Sequence, residues 1–176
     1  MNVRLKNGNE VTIKEANKND AQQMINFYNV VGGETDFLSF GKNEFNRDLE
    51  EYKKFIDSTS MEQNSIILIA TLKDEIIGIA SINSSQKDRT KHVGTLGIVV
   101  SEKLIGQGLG RILMEELINW APSNGVTKKI RLVTREDNVF AIELYEKLGF
   151  EKEGLLKKDN LINGVYYSTL VMGLFI

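Results

Sequence analysis

Apolar side chains recur along the chain in two rhythms, period two and period 3.6, and the switches between them mark out its elements. Val11 to Ile13 alternates apolar and polar and predicts a short opening strand. From Asn17 to Val31, the residues Ala21, Met24, Ile25, Tyr28 and Val31 fall at helical spacing, with Asn17 or Asn19 as a start signal and Gly32-Gly33 as a stop. Residues 34–45 read as a loop with apolar anchors, and Asn46 to Asp57 as a second helix using Leu49, Phe55 and Ile56. The isoleucine-rich runs Ser65–Thr71 and Ile76–Ile82, with Lys73-Asp74 between them, predict an antiparallel hairpin buried on both faces. A polar loop, Asn83–Lys91, leads to a strand at Val93–Val100. Leu109, Leu113, Leu117 and Ala121 form the apolar stripe of a helix over Leu109–Ala121, with Glu115 and Asn119 turned away from it. Pro122 to Thr127 breaks that helix, and Lys128–Thr134 is again a strand. Asn138 to Leu148 reads as a helix with Phe140, Leu144 and Leu148 toward the core, stopped by Gly149. Phe150–Leu156 and Val165–Phe175 are closing strands, and Asn163-Gly164 is the tight turn before the second of them.

This order is β-α-α-β-β-β-α-β-α-β-β, antiparallel first and then a β-α-β unit that needs a locally parallel pair. The expectation is an α+β protein with three layers, α/β/α: one mixed, mostly antiparallel seven-stranded sheet with helices on both faces. No repeat, low-complexity tract or linker interrupts residues 1–176, so a single domain is expected. A composition 41% hydrophobic and 26% charged supports a core without disulfides or a structural metal. The chain has no cysteine, which excludes disulfide frameworks, thiolate nucleophiles and cysteine zinc sites. With 22 basic and 24 acidic residues the net charge is −2, so nothing draws the whole molecule to nucleic acid or an anionic membrane. Met1 to Gly8 lacks the apolar run of a signal peptide, and stretches such as Ile66–Ala70 are too short to span a bilayer. A cytoplasmic protein is expected.

The most informative stretch runs from the strand end at Val100 through Gly106, Gly108 and Gly110 into an amphipathic helix. Glycines there permit positive φ and close backbone approach, and amide N–H groups at a helix start favour phosphate or pyrophosphate. Arg111 adds a charge. A flexible turn is the plain alternative. A nucleotide P-loop would need Gly-Lys-Ser/Thr, but Arg111-Ile112 follows Gly110. A dinucleotide fingerprint fails too, because the sixth residue from Gly106 is Arg111 and the sixth from Gly108 is Leu113. Downstream, Asn138, Ala141 and Tyr145 share one helix face, followed by Gly149-Phe150. Asn138 also suits a helix cap, and Tyr145 a core position with a wet hydroxyl.

Together the two stretches resemble the signatures of the GNAT superfamily of N-acetyltransferases. The first signature, Gln/Arg-x-x-Gly-x-Gly/Ala, aligns with Ile105-Gly106-Gln107-Gly108-Leu109-Gly110, departing only in Ile105. The second, Asn-x-x-Ala-x-x-x-Tyr-x-x-x-Gly-Phe, is matched in full by Asn138, Ala141, Tyr145, Gly149 and Phe150. The resemblance covers roughly residues 65–175 and tilts toward the bacterial, ribosomal-protein-acetyltransferase-like branch. It implies acetyl-CoA as cosubstrate, no metal, and direct transfer to an amine in a ternary complex. The strand Val93–Val100 would be bulged and would splay from Lys128–Thr134, forming the central parallel pair. Backbone groups of Ile98, Val99 and Val100 would hold the pantetheine arm and polarise the thioester. Residues 105–111 and Asn138 would complete the coenzyme site, with Gln107 to Arg111 on the pyrophosphate. Tyr145 would be the general acid for the departing thiolate. Many relatives carry a glutamate base near the place of Thr95, and His92, the only histidine, stands just before that strand. The base stays unassigned.

Glu34 and Asp36, in Gly33-Glu34-Thr35-Asp36-Phe37, are candidate acceptor residues suited to a cationic amine, or else solvated loop charges. Tyr166 and Tyr167 are candidates to line the same site. The acceptor reads equally as a small amine or a protein amine, and a non-catalytic acetyl-CoA sensor is the competing class. Relatives often form homodimers, although nothing in the residues selects an interface.

Overall fold

The computed structural model describes residues 1–176. Its first half comprises β1 (Asn2–Arg4), β2 (Glu10–Glu15), α1 (Ala21–Val31), α2 (Leu49–Met61), β3 (Ile66–Leu72) and β4 (Glu75–Ser84). Its second half comprises β5 (Val93–Val100), α3 (Leu109–Ser123), β6 (Lys129–Arg135), α4 (Val139–Lys147), β7 (Glu151–Ile162) and β8 (Val165–Phe175). The strands form one eight-stranded sheet in the order β1-β2-β3-β4-β5-β6-β8-β7, antiparallel except for β5 and β6. The three-layer expectation holds, with one strand more than the seven expected.

The additional strand is β1. Asn7-Gly8 turns the chain tightly, with Gly8 at φ +85° and the Leu5 N–H donating to Asn9 O at 2.9 Å, so Asn2–Arg4 lies against Glu10–Thr12. The Asn163-Gly164 turn between β7 and β8 is tighter, with both residues at positive φ (+50° and +78°), whereas in Asn7-Gly8 only the glycine is. Between β3 and β4 the turn residues Lys73 and Asp74 both have positive φ. Strand β7 runs well past Leu156, because its polar Lys157–Asn160 stretch belongs to a sheet edge exposed on both faces and needs no apolar alternation. Its ladder is interrupted between Leu156 and Asn160, where Lys158 has φ +53°.

Two cores flank the sheet. On one face α1 and α2 pack Met24, Phe27, Tyr52 and Ile56 onto Ile67, Ile69 and Ile79. On the other, Leu109, Leu113, Leu117 and Ala121 of α3 are all at 0% exposure over Leu68, Ala80, Leu96 and Ile130. Each such leucine contributes about 2 kcal/mol of transfer free energy. Helix α1 follows a 3₁₀ turn capped by Asn17, whose side chain accepts from Asn19 N while Asp20 reciprocates on the Asn17 N–H. Asp48 caps α2 through the Glu51 N–H.

Two apolar assignments change. Phe55 is 44% exposed, and the inward stripe of α2 is Leu49, Tyr52 and Ile56. In α4, Phe140 is 89% exposed, whereas Ile142 and Tyr145 are buried and Ala141 and Leu148 pack beside them. Residues two apart on a helix point roughly 200° apart, so once Ile142 faces the core Phe140 must face water. Pro122 sits inside the last turn of α3, which continues to Ser123.

Candidate functional site

The parallel strands β5 and β6 touch only at their beginnings. Their register pairs Val93, Gly94 and Thr95 with Lys129, Ile130 and Arg131 and then stops, while β5 stays paired to β4 through Val100 and β6 to β8 through Arg135. The strands therefore part into a wedge, closed at Thr95 and Arg131. The β4–β5 register is continuous, so no bulge accompanies the parting. Ser101 N–H donates to Ile77 O at 2.9 Å. Strict alternation along an antiparallel strand then commits the backbone of Val99 to β4 and turns that of Ile98 and Val100 into the wedge. Of the three residues expected to offer free backbone groups, Val99 does not.

At the mouth of the wedge, Gly106 (φ +78°) and Gly108 (φ +93°) bend the chain into α3. Ile105 N–H donates to Glu102 O and Gln107 N–H to Leu104 O, which fixes the turn from within. Lys6, in the β1–β2 turn, braces it from outside by donating its N–H to Gln107 O at 3.2 Å. The N–H groups of Gly106, Gly108, Leu109, Gly110 and Arg111 find no acceptor in the protein, and no side chain caps the helix. A run of free amides at the positive end of a fifteen-residue helix is an anion cradle. The Leu109 side chain is in the core, Ile105 is 65% exposed, and the Arg111 guanidinium donates to Glu115 at 2.8 Å. Arg111 therefore offers its amide to an anion rather than a free charge.

Tyr145 lies across the α4 face that meets the sheet, 8% exposed, its ring centroid 6.1 Å from that of Phe150. Burial pushes its phenol up to about 12, so it stays a proton donor throughout the neutral and mildly alkaline range. Its hydroxyl has no protein partner and is not sealed from solvent. Asn138 precedes α4 without capping it, donating instead from Nδ2 to Thr134 Oγ1 at 3.3 Å. Its side chain therefore does not cap the helix, and its side-chain Oδ1 is free of protein donors, while its backbone oxygen accepts the Ile142 N–H at 3.0 Å.

The two acceptor candidates sit on one loop that bridges the tips of β5 and β6. Glu34 accepts the Glu102 N–H at 2.8 Å, just beyond the end of β5. Asp36 contributes its backbone oxygen to Arg135 Nη1 at 3.0 Å, at the end of β6. The loop between them is a strap joining the two tips of the wedge. Arg135, which sequence reasoning missed, organises one anchor: its side chain is 8% exposed, it grips Asp137 with two hydrogen bonds, and its guanidinium lies 4.7 Å from the Phe37 ring and 3.8 Å from that of Tyr167. The hydrogen bond from Arg135 holds the Asp137 carboxyl below its ordinary range. The signal in the sequence was an Arg-x-Asp at a strand end. Tyr166 points away, 57% exposed. His92 is exposed before β5, its carbonyl accepting from Lys128 and Lys129 N–H. Thr95 receives Arg131 Nε at 3.0 Å.

A sequence profile described as the acetyltransferase (GNAT) family matches residues 34–150, which take in the wedge, the glycine turn and α4. The crystal structure of an acetyltransferase of that family from Streptococcus pneumoniae superposes with a TM-score of 0.91 at 34% identity, covering 94% of this chain and 99% of that one. The L-amino acid N-acetyltransferase AaaT of Escherichia coli (strain K12) is 34% identical over 105 residues, 60% of this chain and 65% of its own, so the match spans less than two thirds of that relative. The peptidyl-lysine N-acetyltransferase YjaB of Salmonella typhimurium is 24% identical over 152 residues, 86% of this chain and 90% of its own. No helix is long and apolar enough to cross a membrane.

Proposed function

The chain belongs to the GNAT family of acetyltransferases, and from that premise we propose that it transfers the acetyl group of acetyl-CoA to a primary amine by direct attack in a ternary complex. The observation carrying this reading is the wedge with the free amides at its mouth. A pantetheine arm is a slender chain of amides that satisfies backbone groups as a neighbouring strand would, and Ile98 and Val100 present such groups. A diphosphate matches five N–H donors at a helix start. Asn138 adds a free side-chain carbonyl beside the same helix face.

When bound, acetyl-CoA supplies a thioester and departs as the thiol. The Ile98 amide, nearer the closed end, polarises the reacting carbonyl, an electrostatic effect worth about 3 kcal/mol in water-poor sites, while Val100 holds the arm. Tyr145, protonated at working pH, holds a proton at its Oη for the leaving sulfur. The acceptor must arrive as the neutral amine. Thr95 at the closed end of the wedge is occupied by Arg131, so its hydroxyl takes no part as a base.

The relatives' names divide between a free amino acid and a peptidyl lysine, and both kinds of amine belong in the test. Purified protein is titrated with acetyl-CoA in a calorimeter, then assayed for thiol release across amino acids, polyamines and lysine peptides. Binding followed by release with at least one amine is the expected result. Binding without turnover on any acceptor would leave a sensing module, and no binding would remove the proposal altogether.

A further inference from the structure

Three basic side chains share the open face of β6, and only two of them have a carboxylate. Lys129 pairs with Glu153, and Arg135 with Asp137. Arg131 stands between them on the same face: its neighbours Ile130 and Leu132 are 0% and 2% exposed beneath α3 and α4, so alternation turns Arg131 to the opposite side. Its Nε donates to Thr95 Oγ1 at 3.0 Å, and no acidic side chain lies within ion-pair distance. On β7 the register partner of Gly173 is Glu151, the carboxyl aligned with Arg131 across β8, and it makes no ion pair with Arg131; Glu153, two residues on, folds over Gly173, where a Cβ would lie 2.7 Å from Glu153 Cδ. That carboxylate is taken by Lys129.

The brace on Nε fixes the guanidinium at the closed end of the wedge and leaves both terminal nitrogens as donors. A planar fork of this kind matches a carboxylate bidentately. Of the carboxylates weighed for a cationic acceptor, Glu34 holds the Glu102 amide, and Asp36 stands exposed on the strap with only its backbone oxygen tied to Arg135. We propose that Arg131 receives the carboxylate of the acceptor, which is then an α-amino acid or a similar small amine with a carboxylate beside the amino group. The inference rests on the proposed acetyl transfer, because that reading sets the reacting carbonyl on the Ile98 amide, three residues along β5 from the Thr95 that holds Arg131.

Thiol release with L-amino acids, each beside its carboxamide, tests this in the unaltered protein, Arg131→Gln and Arg131→Lys. Binding of the same pairs to protein loaded with coenzyme A gives a second readout. In the unaltered protein the carboxylate is expected to be preferred by about 10- to 100-fold, mainly through KM. Arg131→Gln should bring the ratio close to one, and Arg131→Lys should restore part of it. The inference is overturned if the unaltered protein treats each pair alike, if the preference survives Arg131→Gln, or if only lysine peptides or polyamines are acetylated. A protein that fails to bind acetyl-CoA fells the proposed transfer itself, a result distinct from the other three.

Discussion

The Tyr145 side chain shows how one residue serves two ends. Its ring is part of the α4 core, while its hydroxyl keeps access to solvent. Replacing it with phenylalanine keeps the ring and removes the proton, so Tyr145→Phe is expected to lower single-turnover acetyl transfer about ten-fold or more. Acetyl-CoA affinity in a calorimeter should be little changed, and an unaltered rate would strike Tyr145 from the mechanism. At this scale the sequence was a mixed guide. Spacing placed Asn138, Ala141 and Tyr145 on one face correctly, because helical geometry alone decides it. It misplaced Phe140 and counted the Val99 backbone as free, and it did not show that Glu34 and Arg111 have protein partners, because each depends on which neighbour claims it. Glu115 lies four residues from Arg111 and was open to notice; Glu102, whose amide Glu34 holds, is 68 residues away and was not.

Among the elements, the glycine turn and α3 are the pair on which coenzyme binding depends. Gly108, at φ +93°, would be strained by any side chain, so its replacement confounds folding with binding. Gly110 is the cleaner position: its φ is unexceptional, and the nearest atom to an added Cβ is Val100 Cγ2 at 3.9 Å. Gly110→Trp is expected to cover the free amides and weaken acetyl-CoA binding at least about ten-fold by calorimetry, with the thermal midpoint close to that of the parent. Undiminished affinity would contradict the assignment of the cradle. The long elements were legible because their apolar rows are long. Strand β1 escaped notice because three residues, one of them apolar, carry almost no alternation, and only the Asn7-Gly8 turn betrayed it. The far half of β7 escaped because an edge exposed on both faces needs no pattern.

For the molecule as a whole, buried phenols set the alkaline limit. Burial raises Tyr145 and Tyr52 from 10.0 to about 12, and Tyr28 is raised as well by burial and by Tyr52 beside it. Each folded-state value lies above the unfolded one, so this stability is complete below pH 10 and is lost as pH rises through about 12. The loss is on the order of 2 kcal/mol for each tyrosine. Chemical denaturation between pH 9 and 12 (a range bracketing about two units of rise) should show the decline. Tyr52→Phe should flatten it, and an equal slope in that variant would refute the account. The parallel pairing of β5 with β6 followed from the sequence because β-α-β admits few arrangements, whereas the insertion of β8 between β6 and β7 did not. The parting of β5 from β6 was expected only through the family resemblance, since nothing in either strand's residues announces where pairing ends. The opening is spanned from outside the sheet by the few residues from Glu34 to Phe37, whose ends are moored to opposite arms. Because that span touches neither the β-ladders nor the glycine turn, lengthening or trimming it is expected to leave acetyl-CoA affinity in place while altering which amines are acetylated, and an unchanged amine profile would count against it.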